Sequence, residues 1–188
     1  MAKAGWRSGA RPGQWVVILG IGGLGHIAVQ YARAMGLRVA AVDVSADKIE
    51  LARSLGAEVL VNGAETDAVA AIQSQIGGAH ASVVTAVATT AFEQAIKMLR
   101  PAGTAVYIGL PGGKSDEIRA SISGITNWEL TVRGSNVGTR QDLHEAVAFA
   151  ARGQVKATIR TIALEDINAT LDDMRKGKIV GRVVLKLA

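Results

Sequence analysis

Residues 15–25 read WVVILGIGGLG, from Trp15 to Gly25. The first five are apolar without a break and of strand length, and glycines follow at once. Beyond Gly25, apolar residues recur at helical spacing over residues 27–35, and Gly36 closes the run. That order predicts strand, glycine turn, helix. The same rhythm repeats downstream. A second apolar strand is expected at residues 37–43, then a helix at 46–55 that Ser45 caps and Gly56 stops. A short strand at 58–61 and a helix at 66–76 follow. Strands apolar throughout and separated by helices imply a parallel sheet covered on both faces. With right-handed crossovers the expected fold is α/β, a doubly wound parallel sheet of the Rossmann type.

Further strands are expected at 81–87, 104–110 and 129–135. A helix over 91–99, capped by Thr90 and ended by Arg100-Pro101, separates the first two, and residues 111–127 read as loop. After Ser135 the pattern becomes helix (141–152), strand (158–162), helix (165–176), strand (182–187). Spacing leaves open whether this C-terminal α/β extension continues the sheet or packs elsewhere. The domain reading is an N-terminal stub at 1–13, a nucleotide-binding unit at 14–138 and a C-terminal segment at 139–188.

Gly20, Gly22 and Gly25 satisfy G-x-G-x-x-G between a predicted strand and a predicted helix, the context that gives the pattern meaning. Gly20 permits the tight turn, Gly22 lets the backbone approach a pyrophosphate, and Gly25 lets helix and strand pack closely. The phosphates would face free N–H groups and the positive end of the helix dipole. The second strand ends at Asp43, 18 residues beyond Gly25. A carboxylate there can accept hydrogen bonds from both hydroxyls of an adenosine ribose and would repel a 2′-phosphate. The expected cofactor is therefore NAD rather than NADP. Gly112-Gly113-Lys114-Ser115 resembles the end of a phosphate loop, but the pattern needs glycine where Ile108 stands, so it reads as a surface loop.

Composition excludes other classes. The 188 residues contain no cysteine, which removes disulfide scaffolds, thiol nucleophiles and Cys-ligated zinc. His26, His80 and His144 stand at no metal-ligand spacing; His26, beside the glycine loop, reads either as a cofactor contact or as packing. No G-x-S-x-G elbow occurs, and neither Tyr31 nor Tyr107 has a lysine four residues on. The net charge is +5, but the basic residues are dispersed and aromatics are only 4%, so nucleic acid is not an expected partner. Residues 68–92 lack charge yet contain Gln, Gly, Ser and His, which argues against a membrane span. No apolar leader opens the chain, so the expected location is the cytoplasm.

The stretches RPGQWVVILGIGGLGHIAVQYARAMG, AVDVSADK, VVTAV, AFEQAIKMLRPAGTAVYIGLP, LTVRGSNVGTRQDLHEAVAFAARGQVK and DDMRKGKIVGRVVL together resemble the zinc-dependent medium-chain alcohol dehydrogenases, in particular the bacterial propanol-preferring branch. The resemblance implies a pyrophosphate loop at Gly20, Gly22, Gly23 and Gly25, with Leu24 beside the nicotinamide. It implies Asp43 and Lys48 at the adenosine ribose, Ala86 and Val87 lining the cleft, and Ile108, Leu110, Ser135 and Val137 at the nicotinamide end. Arg182 would pair with the pyrophosphate. Read from the residues alone, Lys48 is a surface lysine. The family's zinc ligands and proton relay lie in a separate catalytic domain with no counterpart in these residues, so the resemblance implies no metal site, no catalytic residue and little turnover here. It further implies a C-terminal segment packed towards that domain, leaving an apolar surface, and a homo-oligomer, a dimer paired through sheet edges. The alternatives are a stand-alone NAD-binding or dimerising module and, against Asp43, a zinc-free NADPH reductase of the quinone-reductase type.

Overall fold

The structure is a computed structural model that describes Lys3 and residues 7–112 and 116–187. Six parallel strands make the main sheet: β1 (Trp15–Leu19), β2 (Arg38–Asp43), β3 (Val59–Asn62), β4 (Ala79–Val84), β5 (Leu99–Tyr107) and β6 (Thr131–Gly134). Their order is β3-β2-β1-β4-β5-β6, so the chain reverses direction across the sheet between β1 and β4.

The apolar strands are explained by what covers them. Val16 and Ile18 point to one face, where Ala28, Val29 and Ala32 of α1 (Gly25–Ala34) and Ala52 of α2 (Ala46–Ser54) meet them. Val17 and Leu19 point to the other, against Ile72 of α3 (Ala68–Ile76) and Phe92 and Ala95 of α4 (Thr89–Lys97). The last four residues of β1 are buried on both faces, which is why its sequence does not alternate. Each buried Val, Leu or Ile side chain contributes roughly 1.5–3 kcal/mol relative to exposure, so β1 anchors both layers.

Several boundaries differ from the sequence expectation. The fourth strand occupies Ala79–Val84 rather than 81–87, and the helix after it ends two residues early, at Lys97. Its N-cap is Ala88, not Thr90, which lies inside the helix. Ser45 does stand at the N-cap of α2, but its side chain makes no capping bond; α3 is capped by Asp67, whose carboxylate accepts from the N–H groups of Val69 and Ala70. The fifth strand begins at Leu99 and carries Arg100-Pro101 within it. Residues 111–127 are not all loop, since α5 (Ile122–Asn127) closes them with Ser121 as its cap. Residues 113–115 of the phosphate-loop look-alike lie outside the described residues, as do five of the first six residues.

The C-terminal segment does not extend the sheet. After α6 (Arg140–Ala151), strands β7 (Ile159–Ala163) and β8 (Arg182–Lys186) form their own two-stranded parallel sheet, joined through α7 (Ile167–Arg175). The segment docks on α1. Tyr31 donates its hydroxyl to Ala146 O at 3.1 Å and stacks edge-on against Phe149 at 5.4 Å. Gln30 makes a two-way bridge, donating to Lys156 O at 2.9 Å and accepting from Lys156 N–H at 2.8 Å.

Candidate cofactor cleft

In an open parallel sheet, the carboxyl ends of the strands at the reversal point splay apart and leave a crevice. Here that crevice lies between the loop after β1 and the loop after β4. Gly20 turns the chain out of β1 with φ of +89°, and a Cβ there would lie 2.7 Å from Ala86 N. The two loops are pinned together: Thr85 Oγ1 donates to Gly20 O at 2.5 Å, and Ala86 N–H donates to Leu19 O at 3.1 Å. A Cβ on Gly25 would come within 1.8 Å of Gly20 O, so this glycine is demanded by the turn itself. At Gly22 the space is open, with nothing within 4 Å of an added Cβ.

Leu24, at the N-cap of α1, has no side-chain cap, and the N–H groups of Gly22, Gly23 and Leu24 have no acceptor among the described residues. Such amides at the positive end of a helix favour an anion. The guanidinium of Arg182 lies beside them, since a Cβ on Gly23 would be 2.6 Å from Arg182 Cζ. Lys48 opens on the same recess as Gly23 and Arg182. Three cationic or donating features thus face one spot.

Asp43 ends β2 next to the loop. Its Oδ2 accepts from Ile21 N–H at 2.6 Å and its Oδ1 from Ser45 N–H at 3.0 Å. The carboxylate therefore shapes the glycine turn as well as standing beside it, a role not visible in spacing.

Towards the other end, Leu24, Ile108, Ser135 and Val137 line one recess, while Ile108, Leu110 and Ser135 line its neighbour together with Tyr107 and Phe92. Ile108 N–H is held by Val84 O at 3.0 Å and Ser135 N–H by Tyr107 O at 2.9 Å. Val87, Leu110 and Val137 are 65%, 79% and 86% exposed, an apolar rim around the crevice. Tyr107 donates to Phe92 O at 2.8 Å; burial, then the Glu93 carboxylate, push its phenol up to about 12, so it stays a protonated donor.

Sequence reasoning missed Gly109, where a Cβ would be 2.0 Å from Ala86 O. It also missed Thr85 and Thr158. Their signal is three-dimensional: Thr85 bonds Leu19 O and Gly20 O, and Thr158 bonds the His26 ring and Arg182 N–H, across distances no local pattern records. His26 is 0% exposed, with Nδ1 at 2.9 Å from Gly22 O.

Among the described residues no group of three or more His, Cys, Asp or Glu could hold a metal ion, and no helix is long and apolar enough to cross a membrane.

A glycine-loop crevice of this kind, at the reversal point of a six-stranded parallel sheet, defines the dinucleotide-binding class of α/β folds. The model of the zinc-binding dehydrogenase family matches residues 23–152, and the chain belongs to that family. It is 52% identical over 180 residues to an alcohol dehydrogenase of Geobacillus stearothermophilus, covering 96% of this chain and 52% of that protein. The chain thus spans about half the length of the curated relatives it matches. Among solved structures, the alcohol dehydrogenase of Aeropyrum pernix superposes with a TM-score of 0.90 at 31% identity, over 99% of this chain and 54% of that one. The acetophenone reductase of Geotrichum candidum, solved with NAD, gives 0.83 at 28%, over 98% and 51%. A putative zinc-binding dehydrogenase of Sinorhizobium meliloti, solved with NADP, gives 0.84 at 26%, over 98% and 55%.

Proposed function

We propose that this chain is the NAD(H)-binding part of a zinc-dependent alcohol dehydrogenase, serving hydride exchange between a primary or secondary alcohol and NAD. One observation carries the reading: the unpartnered amides of Gly22, Gly23 and Leu24 lie at the positive end of α1, with the Arg182 guanidinium against Gly23. That set fits a pyrophosphate, which needs several donors converging on two phosphates, and arginine can bind phosphate oxygens bidentately. The open space at Gly22 gives the phosphates room.

In this reading Asp43 and Lys48 hold the adenosine ribose, and the negative carboxylate rejects a 2′-phosphate. Ala86 and Val87 line the middle of the cleft. Leu24, Ile108, Leu110, Ser135 and Val137 enclose the nicotinamide end and exclude water from one side. The bound nucleotide would supply the hydride acceptor; the chain contributes binding and orientation. The nucleotide-binding unit is residues 14–138, the segment 139–188 brings Arg182 to it, and the location is the cytoplasm. The zinc and its ligands belong to the other half of the family's proteins, so turnover by these residues alone is expected to be negligible.

Calorimetric titration with NAD⁺ and then NADP⁺ tests the reading. Saturable NAD⁺ binding is expected, with NADP⁺ weaker by about tenfold or more because a 2′-phosphate would meet the Asp43 carboxylate. Absence of binding by either nucleotide, or a preference for NADP⁺, would overturn it. Alcohol-dependent NADH formation that Asp43→Ala abolishes would overturn the expectation of negligible turnover.

A further inference from the structure

His26 sits at a junction that the nucleotide-binding reading leaves unused. It is the first residue after the glycine motif and is 0% exposed. Its Nδ1 lies 2.9 Å from Gly22 O, while its Nε2 lies 3.1 Å from Thr158 N. A backbone N–H can only donate, so Nε2 must offer its lone pair and Nδ1 must carry the proton. One neutral tautomer satisfies both contacts, and no protonated form can. Burial, seconded by the Arg182 charge, holds the imidazole pKa below its ordinary value despite the opposing bond to Gly22 O.

The chain of contacts continues from Thr158. Its carbonyl accepts from Arg182 N–H at 2.9 Å. Gly181, at φ of +72°, lies so close that a Cβ would be 2.4 Å from the same carbonyl. Thr158 therefore fixes the start of β8, and with it the backbone from which Arg182 reaches Gly23. The guanidinium makes no hydrogen bond to another described residue, so its backbone is what places it. Gln30 and Tyr31 hold the C-terminal segment to α1 by separate bonds, so the segment stays docked without His26. His26 joins Gly22 to Thr158, the residue whose carbonyl holds Arg182 N–H.

We infer that His26 is a positioning residue for phosphate recognition: its neutral ring locks the glycine loop and Arg182 into one rigid cradle for a pyrophosphate. The inference rests on the nucleotide-binding reading above. Two substitutions separate the ring nitrogens. His26→Asn can keep a donor for Gly22 O but loses the acceptor for Thr158. His26→Gln can place an acceptor near Nε2 but gives up the donor to Gly22.

The experiment is a double-mutant cycle on NAD⁺ affinity, by calorimetry, with Arg182→Ala as the partner. His26→Asn and His26→Gln are each expected to bind NAD⁺ about tenfold more weakly than the unsubstituted chain, because each breaks one of the two bonds that make the link. In the Arg182→Ala background the effect of His26→Asn should shrink to within about twofold, because there is no longer a guanidinium to place. A purely structural role would lower the melting temperature of both His26 variants and leave their effects on affinity independent of Arg182. An undiminished loss in the Arg182→Ala background, or unchanged affinity in either His26 variant, would overturn the inference while the nucleotide reading stands. Should His26→Asn fail to fold, His26→Gln carries the test: it must bind about tenfold more weakly, and that loss must shrink to within about twofold beside Arg182→Ala, or the inference falls. No NAD⁺ binding by the unsubstituted chain would instead remove the nucleotide reading and the inference with it.

Discussion

At the scale of single residues, Gly22 and Gly25 share one loop but answer to different neighbours. Gly25 backs onto Gly20 O, 1.8 Å from where a Cβ would stand, so its lack of a side chain is a folding requirement. Gly22 faces open space, so its lack of a side chain has no folding reason. Gly25→Ala should therefore lower unfolding free energy by about 2–3 kcal/mol, measured from urea transitions, as an overpacked site forces backbone shifts. Gly22→Ala should stay within about 0.5 kcal/mol of the parent yet weaken NAD⁺ binding about tenfold, since its methyl would occupy the space the phosphates need. Equal destabilisation by the two would refute this division. Asp43 shows why such tests need a stability control. Its carboxylate accepts from Ile21 and Ser45 N–H groups, so Asp43→Ala disturbs the loop as well as the ribose contact.

At the scale of elements, β5 shows where the sequence stops being informative. Ala79 pairs with Leu99, but Ala81 pairs with Thr104, so β5 carries extra residues between two rungs of the ladder. The bulge holds Ala102 at φ of +60°, with its N–H donating to Trp128 O at 2.7 Å. Arg100-Pro101 looks like a helix stop in sequence, and it does follow α4; that a strand has already begun depends on pairing with β4, which no local pattern encodes. Arg100 ties this end of the sheet together, donating to Gly78 O at 3.1 Å and to Ile76 O at 3.1 Å, with its Nη1 standing 3.0 Å from His80 Nε2. Arg100→Ala should cost about 2–3 kcal/mol of unfolding free energy, because partly buried carbonyls lose a charged donor. A cost below about 0.5 kcal/mol would mean that water replaces the guanidinium freely. The main strands, α1 and the glycine turn were legible because β1 and β2 are apolar on both faces and Gly20 and Gly25 are sterically required. Asp43 and the crevice were legible through their register with that turn. The positions of Arg182, Lys48 and the residues at the nicotinamide end came only from family resemblance. The roles of His26, Thr85 and Thr158 were not legible at all, since each depends on residues far along the chain.

At the scale of the whole molecule, one edge of the main sheet, the buried His26 ring and the half-buried His80 ring set the expected behaviour. All four residues of β6 are exposed and, among the described residues, pair only with β5. We propose that a second copy pairs along this edge; light scattering should then give twice the 19.5 kDa chain mass. Val132→Lys, an edge charge of the kind that discourages such pairing, should give the single-chain mass, and a monomeric parent would end the proposal. Acid should weaken the fold through His26 and His80. Burial lowers the pKa of each from 6.5, with Arg182 adding to the effect at His26 and Arg100 at His80. Both rings are held neutral by geometry: His26 accepts from Thr158 N–H, and His80 Nδ1 accepts from Trp15 N–H at 3.1 Å. Between the depressed folded values and about 6.5 the unfolded chain binds more protons than the folded one, so unfolding free energy must fall as pH drops. The stabilisation is complete above that window and is lost progressively within it. Asp142, held below its usual 3.8 chiefly by the Thr139 N–H, acts only at still lower pH and does not blur the effect. The urea midpoint should therefore hold steady from pH 8 to 7 and decline from about pH 6.5 to 5, and His80→Asn should flatten part of that decline. A midpoint unchanged down to pH 5 would show that both rings take up protons as readily in the fold as in the unfolded chain, which their bonding geometry forbids.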